Sequence, residues 1–164
     1  MQWCDRLNIE ILLALQANGR ASMAEIGERI GLSASAVTRR VDSLEGDQII
    51  LGYTAVLDHK AIGLKVNAFV TVTLVRQSQE VIDAFEQAVV TFPEVVEVHL
   101  MAGSTDYLLR VTVPDLEAYE VFLKQRLTRL RGIAHVQSSF SLSSLKAVRT
   151  VSLAHLSPDI NQDV

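Results

Sequence analysis

The chain has 164 residues, of which 49% are hydrophobic and 21% are charged, and its formal net charge at pH 7 is −4. This composition excludes an intrinsically disordered chain, and since no run of about 18 apolar residues occurs, it predicts no membrane-spanning helix. The negative charge excludes a general nucleic-acid coat protein, because phosphate binding depends on lysine and arginine, so any DNA contact has to come from a local basic patch.

The first two predicted helices are short and follow each other closely. In RLNIEILLALQA, apolar residues recur along one stripe, and the pair Asn18-Gly19 is typical of a helix end. Ser22, followed by Glu25 three residues later, predicts a capping box at the start of the second helix, MAEIGERI. Gly31 ends this second helix.

Ser33 caps a third predicted helix, in which Val37, Val41 and Leu44 recur at positions i, i+4 and i+7. A helix, a tight glycine-bearing turn and a further helix with an apolar inner face are typical of a helix-turn-helix. We place this motif at about residues 23–42. The segment GYTAVLD that follows predicts a short strand.

From residue 65 onwards, strands alternate with two helices. Four segments rich in apolar and β-branched residues predict strands: KVNAFVTVTLV, EVVEVHLMAG, DYLLRVTV and AHVQSSFSL. Two segments have helical spacing: SQEVIDAFEQAVVTF and DLEAYEVFLKQRLTRL. The order β-α-β-β-α-β predicts a ferredoxin-like antiparallel sheet with both helices on one face, and KAVRTVSL predicts one extra strand.

These elements predict an α+β fold with two domains and a tail. Residues 1–60 are expected to form a winged helix-turn-helix domain that ends in a linker strand. Residues 61–153 are expected to form the ferredoxin-like domain. Residues 154–164 are expected to form a polar tail.

Several classes of protein are excluded by the residues that their chemistry requires. Cys4 is the only cysteine, so no disulfide can form within the chain, which suits a reducing cytoplasm. The N-terminal residues lack the pattern of a signal peptide. The four histidines show no paired ligand spacing, so we expect no metal site. No nucleophile elbow, Walker loop or dinucleotide-binding glycine pattern occurs, so we expect neither an enzyme nor a cofactor.

Two sets of segments occur in a fixed order along the chain. The N-terminal set is ILLALQANGRAS, GLSASAVTRRVDSLE and IILGYTAVLD, and the C-terminal set is MAGSTDYLLRVTVPDLEAYEVFL and SSFSLSSLK. In this order they resemble the Lrp/AsnC (leucine-responsive, feast/famine) family of transcription regulators, from about Asp5 to about Leu153. The glycine-x-x-Asp-Tyr turn from Gly103 to Tyr107 makes the match specific. The resemblance implies a DNA-binding domain followed by a ferredoxin-like (RAM/ACT-like) sensor domain.

The chain departs from the family pattern at a few positions. Gln48 stands where most members carry a glycine after the recognition helix, and because a left-handed residue costs more for Gln, we expect the helix exit to be shifted. Arg131 stands where a proline is usual, which loosens the turn after the second sensor helix. Asn8 replaces a usual aspartate in the first helix. None of these changes removes a DNA-reading group.

The face of the third helix opposite its apolar stripe carries the candidate DNA-binding residues. Small and hydroxyl side chains near the helix start permit close approach to a groove, and Arg39 can bind guanine with two hydrogen bonds or grip phosphate. Arg40 lies nearer the apolar stripe, so it either pairs with an acidic neighbour or reaches phosphate. A merely solvated polar face is the alternative interpretation, which the two-helix context and the resemblance disfavour. The candidates are Ser33, Ser35, Ala36, Thr38, Arg39 and Arg40.

The turn AGSTDY is the candidate effector site. Backbone N–H groups in such a turn can cradle a carboxylate, although the same residues also suit a purely structural hairpin turn. In the family this region forms part of an amino-acid pocket between dimers, and the resemblance implies the same here, with the opposing wall supplied by a neighbouring subunit. The candidates are Gly103, Ser104, Thr105, Asp106, Ser138 and Ser139.

Two functions are consistent with these features. The leading interpretation is a cytoplasmic, sequence-specific DNA-binding transcription regulator that responds to a small effector, which the resemblance implies to be an amino acid. The alternative is a metabolite-binding or assembly module without DNA binding, whose N-terminal helices serve only packing. The first sixty residues carry six Lys/Arg against eight Asp/Glu, which favours the alternative.

The expected partners are double-stranded DNA, an amino acid and further copies of the chain. A ferredoxin-like sheet leaves one face open, and we expect its strands to put apolar residues on both faces, which requires a partner. We therefore expect at least a dimer, and an octamer built as a tetramer of dimers. A two-fold dimer also presents two recognition helices to palindromic half-sites.

Overall fold

The computed structural model describes residues 3–146 and 150–156, and these residues fall into two units. The helical unit holds the described residues up to Val56 together with those from Lys146 onwards. The sheet unit spans Leu57–Leu145. The described residues from Lys146 onwards thus group with the helices, and the domain bounds given in the sequence analysis stay a prediction.

Three helices form the helical unit: α1 Arg6–Ala17, α2 Met23–Ile30 and α3 Ala34–Gly46. Their inward-facing apolar side chains form one core, in which no member is more than 9% exposed: Ile11, Ala14, Leu15, Ile26, Val37, Val41 and Leu44. Burial of these side chains is what holds helices this short together, because helices of 8 to 13 residues are marginal on their own. The predicted helix-turn-helix is therefore confirmed.

Each helix begins at a polar side chain that accepts a hydrogen bond from an otherwise unpaired backbone N–H. The Asp5 carboxylate accepts from the N–H of Asn8 at 2.8 Å. Ser22 and Glu25 form the predicted capping box, with distances of 3.2 and 2.7 Å for its two hydrogen bonds. Ser33 caps α3 as predicted. Caps of this kind contribute about 1 kcal/mol each.

The turn between α2 and α3 depends on two glycines. Gly31 has φ = 73° and ends α2 in the left-handed conformation that glycine adopts without strain. The N–H of Leu32 then folds back onto the carbonyl oxygen of Gly27 at 2.8 Å. This close return leaves no room at Gly27, where an added Cβ would lie 2.5 Å from the carbonyl oxygen of Leu32.

We expect Gly27→Ala to destabilise the helical unit by about 1–3 kcal/mol, because the backbone of the turn must move to accept the new methyl group. The matched control is Gly46→Ala. Gly46 is also helical, but a Cβ added there would meet no atom within 4 Å beyond the neighbouring backbone of its own helix. That control should be neutral or stabilising by about 0.5–1 kcal/mol. Urea unfolding followed by far-UV circular dichroism measures both changes. A midpoint for Gly27→Ala equal to that of the control would contradict this account of the turn.

The exit from α3 is not shifted, contrary to the expectation drawn from Gln48. Gln48 itself takes the left-handed conformation, with φ = 59°. The N–H groups of Ile49 and Ile50 then bond to the carbonyl oxygen of Leu44 at 2.9 and 3.1 Å. A left-handed conformation costs a residue with a side chain roughly 1–2 kcal/mol. Half-burial of the two isoleucines against the helical core offsets this cost.

The predicted strand GYTAVLD is wrong for this chain. Residues 52–58, which make up this segment, have no regular secondary structure, and no described strand pairs with them. Leu51 is 85% exposed and Val56 is 68% exposed. The segment has a β-prone composition, but a strand also requires a hydrogen-bonded neighbour. The described residues of this chain supply no such neighbour.

The sheet unit has the predicted β-α-β-β-α-β order. Its elements are β1 Val66–Leu74, α4 Gln79–Val89, β2 Val95–Leu100, β3 Tyr107–Val113, α5 Leu116–Gln125 and β4 Ile133–Phe140. The strands lie in the order β2-β3-β1-β4, and all neighbours are antiparallel. This arrangement confirms the α+β, ferredoxin-like fold of the C-terminal domain.

The two faces of the sheet differ in polarity. One face packs against α4 and α5 and is mainly apolar: Ala68, Val70, Val72, Tyr107, Leu109 and Val111 of the sheet form one core with Phe85 and Phe122 of the helices. The register puts a mostly polar set on the open face: Asn67, Phe69, Thr71, Thr73, Glu97, His99, Leu108, Arg110, Thr112, His135, Gln137 and Ser139. The expectation of apolar residues on both faces is therefore met at Phe69 and Leu108 and not at most other open-face positions.

The C-terminal residues do not form the extra strand predicted for KAVRTVSL. Residues 147–149 of that segment lie outside the described part of the chain, and residues 150–153 are not in a strand. Ala154–Leu156 form a short 3-10 turn, and the rest of the predicted tail, 157–164, lies outside the described residues. The N–H of Val151 donates to Oε1 of Gln16 in α1 at 2.7 Å, and Leu153 is buried.

Candidate DNA-binding and effector sites

The start of α3 gathers the small and hydroxyl candidates. The Oγ atoms of Ser33 and Ser35 lie 3.1 Å apart, and the hydroxyl of Thr38 donates to the carbonyl oxygen of Ala34 at 3.0 Å. Ser33, Ser35 and Thr38 are exposed, and Ala36 is half-buried. The first turns of α3 therefore present a surface of small groups to solvent.

Arg39 lies one helical turn beyond Ser35 and is exposed. It makes no hydrogen bond and no ion pair with any residue that the structure describes. Its guanidinium group keeps all five N–H donors available to an incoming partner, such as a base edge or a phosphate.

Arg40 is placed differently from its neighbour. Its Nη1 donates to Oδ2 of Asp5 at 2.7 Å and to Oδ1 of Asn8 at 2.8 Å. Of the two expectations for Arg40, the structure shows the pairing with an acidic neighbour. Burial opposes ionisation of Asp5, but the hydrogen bonds from Arg40 and from the N–H of Asn8 outweigh it and hold the pKa of Asp5 below its ordinary value.

The candidate effector turn connects β2 to β3. The N–H of Met101 donates to the carbonyl oxygen of Asp106 at 2.8 Å, and the N–H of Asp106 donates to that of Val72 in β1 at 3.0 Å. Between these bonds the loop is open: Gly103 is exposed with φ = 155°, and a Cβ there would meet no atom within 4 Å. The N–H groups of residues 103–105 donate to no described residue.

Both oxygens of the Asp106 carboxylate accept a hydrogen bond from within the chain. Oδ2 accepts from the N–H of Leu74 at the end of β1 at 2.7 Å, and Oδ1 accepts from Nε2 of Gln77 at 2.6 Å. These two bonds tie the β2–β3 loop to the connection between β1 and α4. Asp106 therefore holds the loop in place through both of its oxygens.

Ser138 and Ser139 lie elsewhere in the sheet. Both belong to β4, which is separated from β3 by β1. Ser138 points to the helix side, where its Oγ bonds to the hydroxyl of Tyr119, and Ser139 lies on the open face opposite Phe69. Within one chain these serines do not join the 103–106 loop, and their expected contribution from a neighbouring subunit stays a prediction.

Two partners in these sites were missed at the level of sequence. Asp5 lies 35 positions from Arg40, and no local pattern links two residues so far apart. Gln77 lies 29 positions from Asp106 in an irregular connection, where no pattern singled it out. The sequence also gave no indication of the hydrogen bond that the Tyr107 hydroxyl donates to Oε1 of Glu86 at 2.7 Å. Burial, and then the Glu86 carboxylate, strongly raise the pKa of Tyr107.

Neither a metal centre nor a membrane helix is found in the part of the chain that the structure describes. No three His, Cys, Asp or Glu side chains within residues 3–146 and 150–156 come together as metal ligands would. No helix in these ranges combines the length and the apolar character needed to cross a membrane.

Two family models match the chain. The AsnC-type helix-turn-helix domain matches residues 5–45, and the Lrp/AsnC ligand binding domain matches residues 67–151. The Bkd operon transcriptional regulator of Pseudomonas aeruginosa is 39% identical over 141 residues, which are 86% of this chain and 92% of that protein. The leucine-responsive regulatory protein of Escherichia coli is 37% identical over 142 residues, covering 87% of each chain.

The fold also matches a solved structure of a transcriptional regulator from Neisseria meningitidis in complex with L-methionine. The TM-score is 0.88 at 35% sequence identity, and the match covers 93% of this chain and 98% of that one. The likeness thus extends over both units of the chain.

Proposed function

Because the chain belongs to the Lrp/AsnC family of transcription regulators, we propose that it reads DNA with the start of α3 and senses an amino acid at the 101–106 loop. It is a DNA-binding transcription regulator and not an enzyme. The observation that carries the proposal is the exposed, uncommitted Arg39 at the centre of a helix-turn-helix whose neighbouring arginine is already paired.

The charges along α3 indicate which part of it meets DNA. Small side chains and Arg39 occupy its first turns, whereas Asp42, Glu45 and Asp47 follow at its end. Carboxylates close to the phosphate backbone would be repelled. We therefore propose that α3 enters the major groove with its N-terminal residues, a docking mode that helix-turn-helix proteins use, and that Ser33, Ser35, Ala36 and Thr38 line the approach.

The effector is proposed to be an amino acid, because the similar regulator from N. meningitidis is in complex with L-methionine. The unpaired N–H groups of residues 103–105 suit an α-carboxylate. Asp106 would hold this loop in place through the hydrogen bonds that its two oxygens accept, and their remaining lone pairs leave it able to accept from the α-ammonium as well. A neighbouring subunit would supply the opposing wall of the pocket, where Ser138 and Ser139 are the proposed contributors.

Self-association completes the proposal. On the open face of the sheet, the Phe69 side chain is 39% exposed. The charged side chains Arg110 and Glu97 on the same face form an ion pair with each other, with 2.8 Å between Nη1 and Oε1. A second copy could therefore cover this face without burying an unpaired charge. We propose a dimer formed through this face, and an octamer as a tetramer of such dimers.

We expect the purified chain to be at least a dimer at micromolar concentration and Phe69→Glu to shift it towards monomer, because two like charges would face each other across the two-fold axis. Multi-angle light scattering measures the mass. Leu142→Glu is the matched control, since Leu142 is 94% exposed and lies outside the strands. A monomeric wild type, or a Phe69→Glu variant with the wild-type mass, would refute the interface.

The experiment that tests the proposed function is a gel-shift titration against the promoter of the neighbouring operon, with and without single amino acids. Specific binding that L-methionine or another amino acid alters supports both halves of the proposal. Binding no tighter than to unrelated DNA would leave the rival interpretation, a metabolite-binding or assembly module. DNA binding that responds to no amino acid would refute the sensing role alone.

A further inference from the structure

Four groups meet where α3 packs against the start of α1, and we call them the Arg40 clamp: the side chains of Arg40, Asp5 and Asn8 and the carbonyl group of Trp3. Nη1 of Arg40 donates to Asp5 at 2.7 Å and to Asn8 at 2.8 Å. Nδ2 of Asn8 donates in turn to the carbonyl oxygen of Trp3 at 2.8 Å. Asn8 is only 8% exposed, so its amide is committed to these two bonds.

Asn8 has a role here that an aspartate could not fill. Its oxygen accepts from Arg40 while its nitrogen donates to Trp3, and a carboxylate has no N–H for the second bond. Asp5 supplies the one negative charge and also caps α1. The positive charge of Arg40 is thus paired with a single carboxylate, and both side chains remain partly exposed.

The clamp adds a polar contact between α3 and the start of α1 to the packing of Val37, Val41 and Leu44, which sets the rotation of α3. Adjacent residues of a helix point about 100° apart, so Arg40 lies against α1 while Arg39 is directed away from it. For Arg40 to reach a phosphate, its side chain would have to leave Asp5 and Asn8, and the clamp would open. In the orientation that the structure shows, Arg39 is therefore the arginine of the pair that is available to DNA.

We propose that Arg40 is a positioning residue for DNA recognition, which acts through Asp5 and Asn8 to aim Arg39 and contacts no phosphate itself. This inference rests on the proposed DNA-binding role of α3. The two arginines then have different roles. Arg39 contacts the DNA, and Arg40 stabilises the orientation in which α3 presents Arg39.

The first test is the operator affinity of Asp5→Ser, because the two possible roles of Arg40 predict changes in that affinity of opposite sign. Asp5→Ser keeps a good helix cap but gives up the ion pair. If Arg40 positions α3, this variant binds the operator more weakly, although it has lost a negative charge. If Arg40 contacts phosphate, its release from Asp5 strengthens binding. Glu10→Ser is the matched control, because it removes a carboxylate from α1 that pairs with Arg6 and not with α3.

The second measurement is the salt dependence of operator binding, followed by fluorescence anisotropy of the full chain. We expect Arg40→Ala to weaken specific binding by about 2- to 30-fold, as residues without ligand contact do, with an unchanged slope of log K against log salt. A phosphate contact would lower that slope by about 0.9. Arg40→Lys, which keeps the charge, should recover part of the affinity and serves if Arg40→Ala does not fold.

The outcomes separate the inference from its premise. A wild type that binds no DNA specifically overturns the proposed function and this inference with it. A wild type that binds, together with stronger binding by Asp5→Ser or a reduced slope for Arg40→Ala, overturns the clamp alone. Weaker binding by both variants, with no further loss in the double variant, supports it.

Discussion

Arg39→Ala should weaken operator binding by about 1–3 kcal/mol, or roughly 5- to 150-fold, and leave the fold intact. The side chain is exposed and touches no described residue through a hydrogen bond or ion pair, so its removal opens no cavity and leaves no buried group unpaired. The lost affinity would reflect a base or phosphate contact alone. Fluorescence anisotropy with a labelled operator measures the effect.

Arg6→Ala is the control for Arg39→Ala. It removes the same charge from the same unit, but from α1, where the Arg6 side chain is 81% exposed. A general electrostatic effect would weaken binding equally in both variants, whereas a contact made by Arg39 would weaken binding mainly in one. Unchanged operator affinity in a folded Arg39→Ala variant would remove Arg39 from the proposed site.

Asp106→Ala should abolish the influence of the amino acid on DNA binding and leave effector-free binding largely intact. The substitution removes both bonds that tie the β2–β3 loop to the connection between β1 and α4. The backbone N–H groups of the loop would then lose the fixed arrangement that a carboxylate requires. Since amino-acid binding and operator binding are coupled reciprocally, losing the first removes the response of the second.

Calorimetric titration of amino acids, beginning with L-methionine, on wild type and Asp106→Ala measures this prediction. Gln77→Ala removes one of the two bonds and should weaken amino-acid binding less. Asp83→Ala is the control, because its exposed carboxylate on α4 bonds only to Gln79 among the described residues. Equal affinity in wild type and Asp106→Ala, or no binding to the wild type at millimolar concentration, would show that the proposed sensor site is wrong.

The parts of the fold that depend on local chemistry were predictable from the sequence. The capping box at Ser22 and Glu25 involves residues three apart, and the apolar stripe of α3 follows from helical period alone. The order of strands and helices in the sheet unit also followed from patterns of 8 to 16 residues. These features need no knowledge of distant parts of the chain.

The parts that failed depend on partners distant in sequence. Residues 52–58 have the composition of a strand but no neighbouring strand in the described chain. The side of α3 on which Arg40 lies was predicted, yet its partners on α1 were not, because they are set by how two helices pack. Gln48 keeps a left-handed conformation that its side chain disfavours, since Ile49 and Ile50 gain burial by it. At Gln48, packing therefore outweighs the conformational preference of the residue.

The helical unit is discontinuous in sequence, because Val151 bonds to Gln16 and Leu153 is buried with the N-terminal helices. Exchange of DNA-binding halves between relatives by a single crossover near residue 56 would therefore not transfer a whole unit. The hybrid would combine α1 from one parent with the C-terminal segment of the other, so residue 16 and residues 151–153 would be mismatched. Recombination that creates new regulators from this chain needs to carry both ends of the gene together.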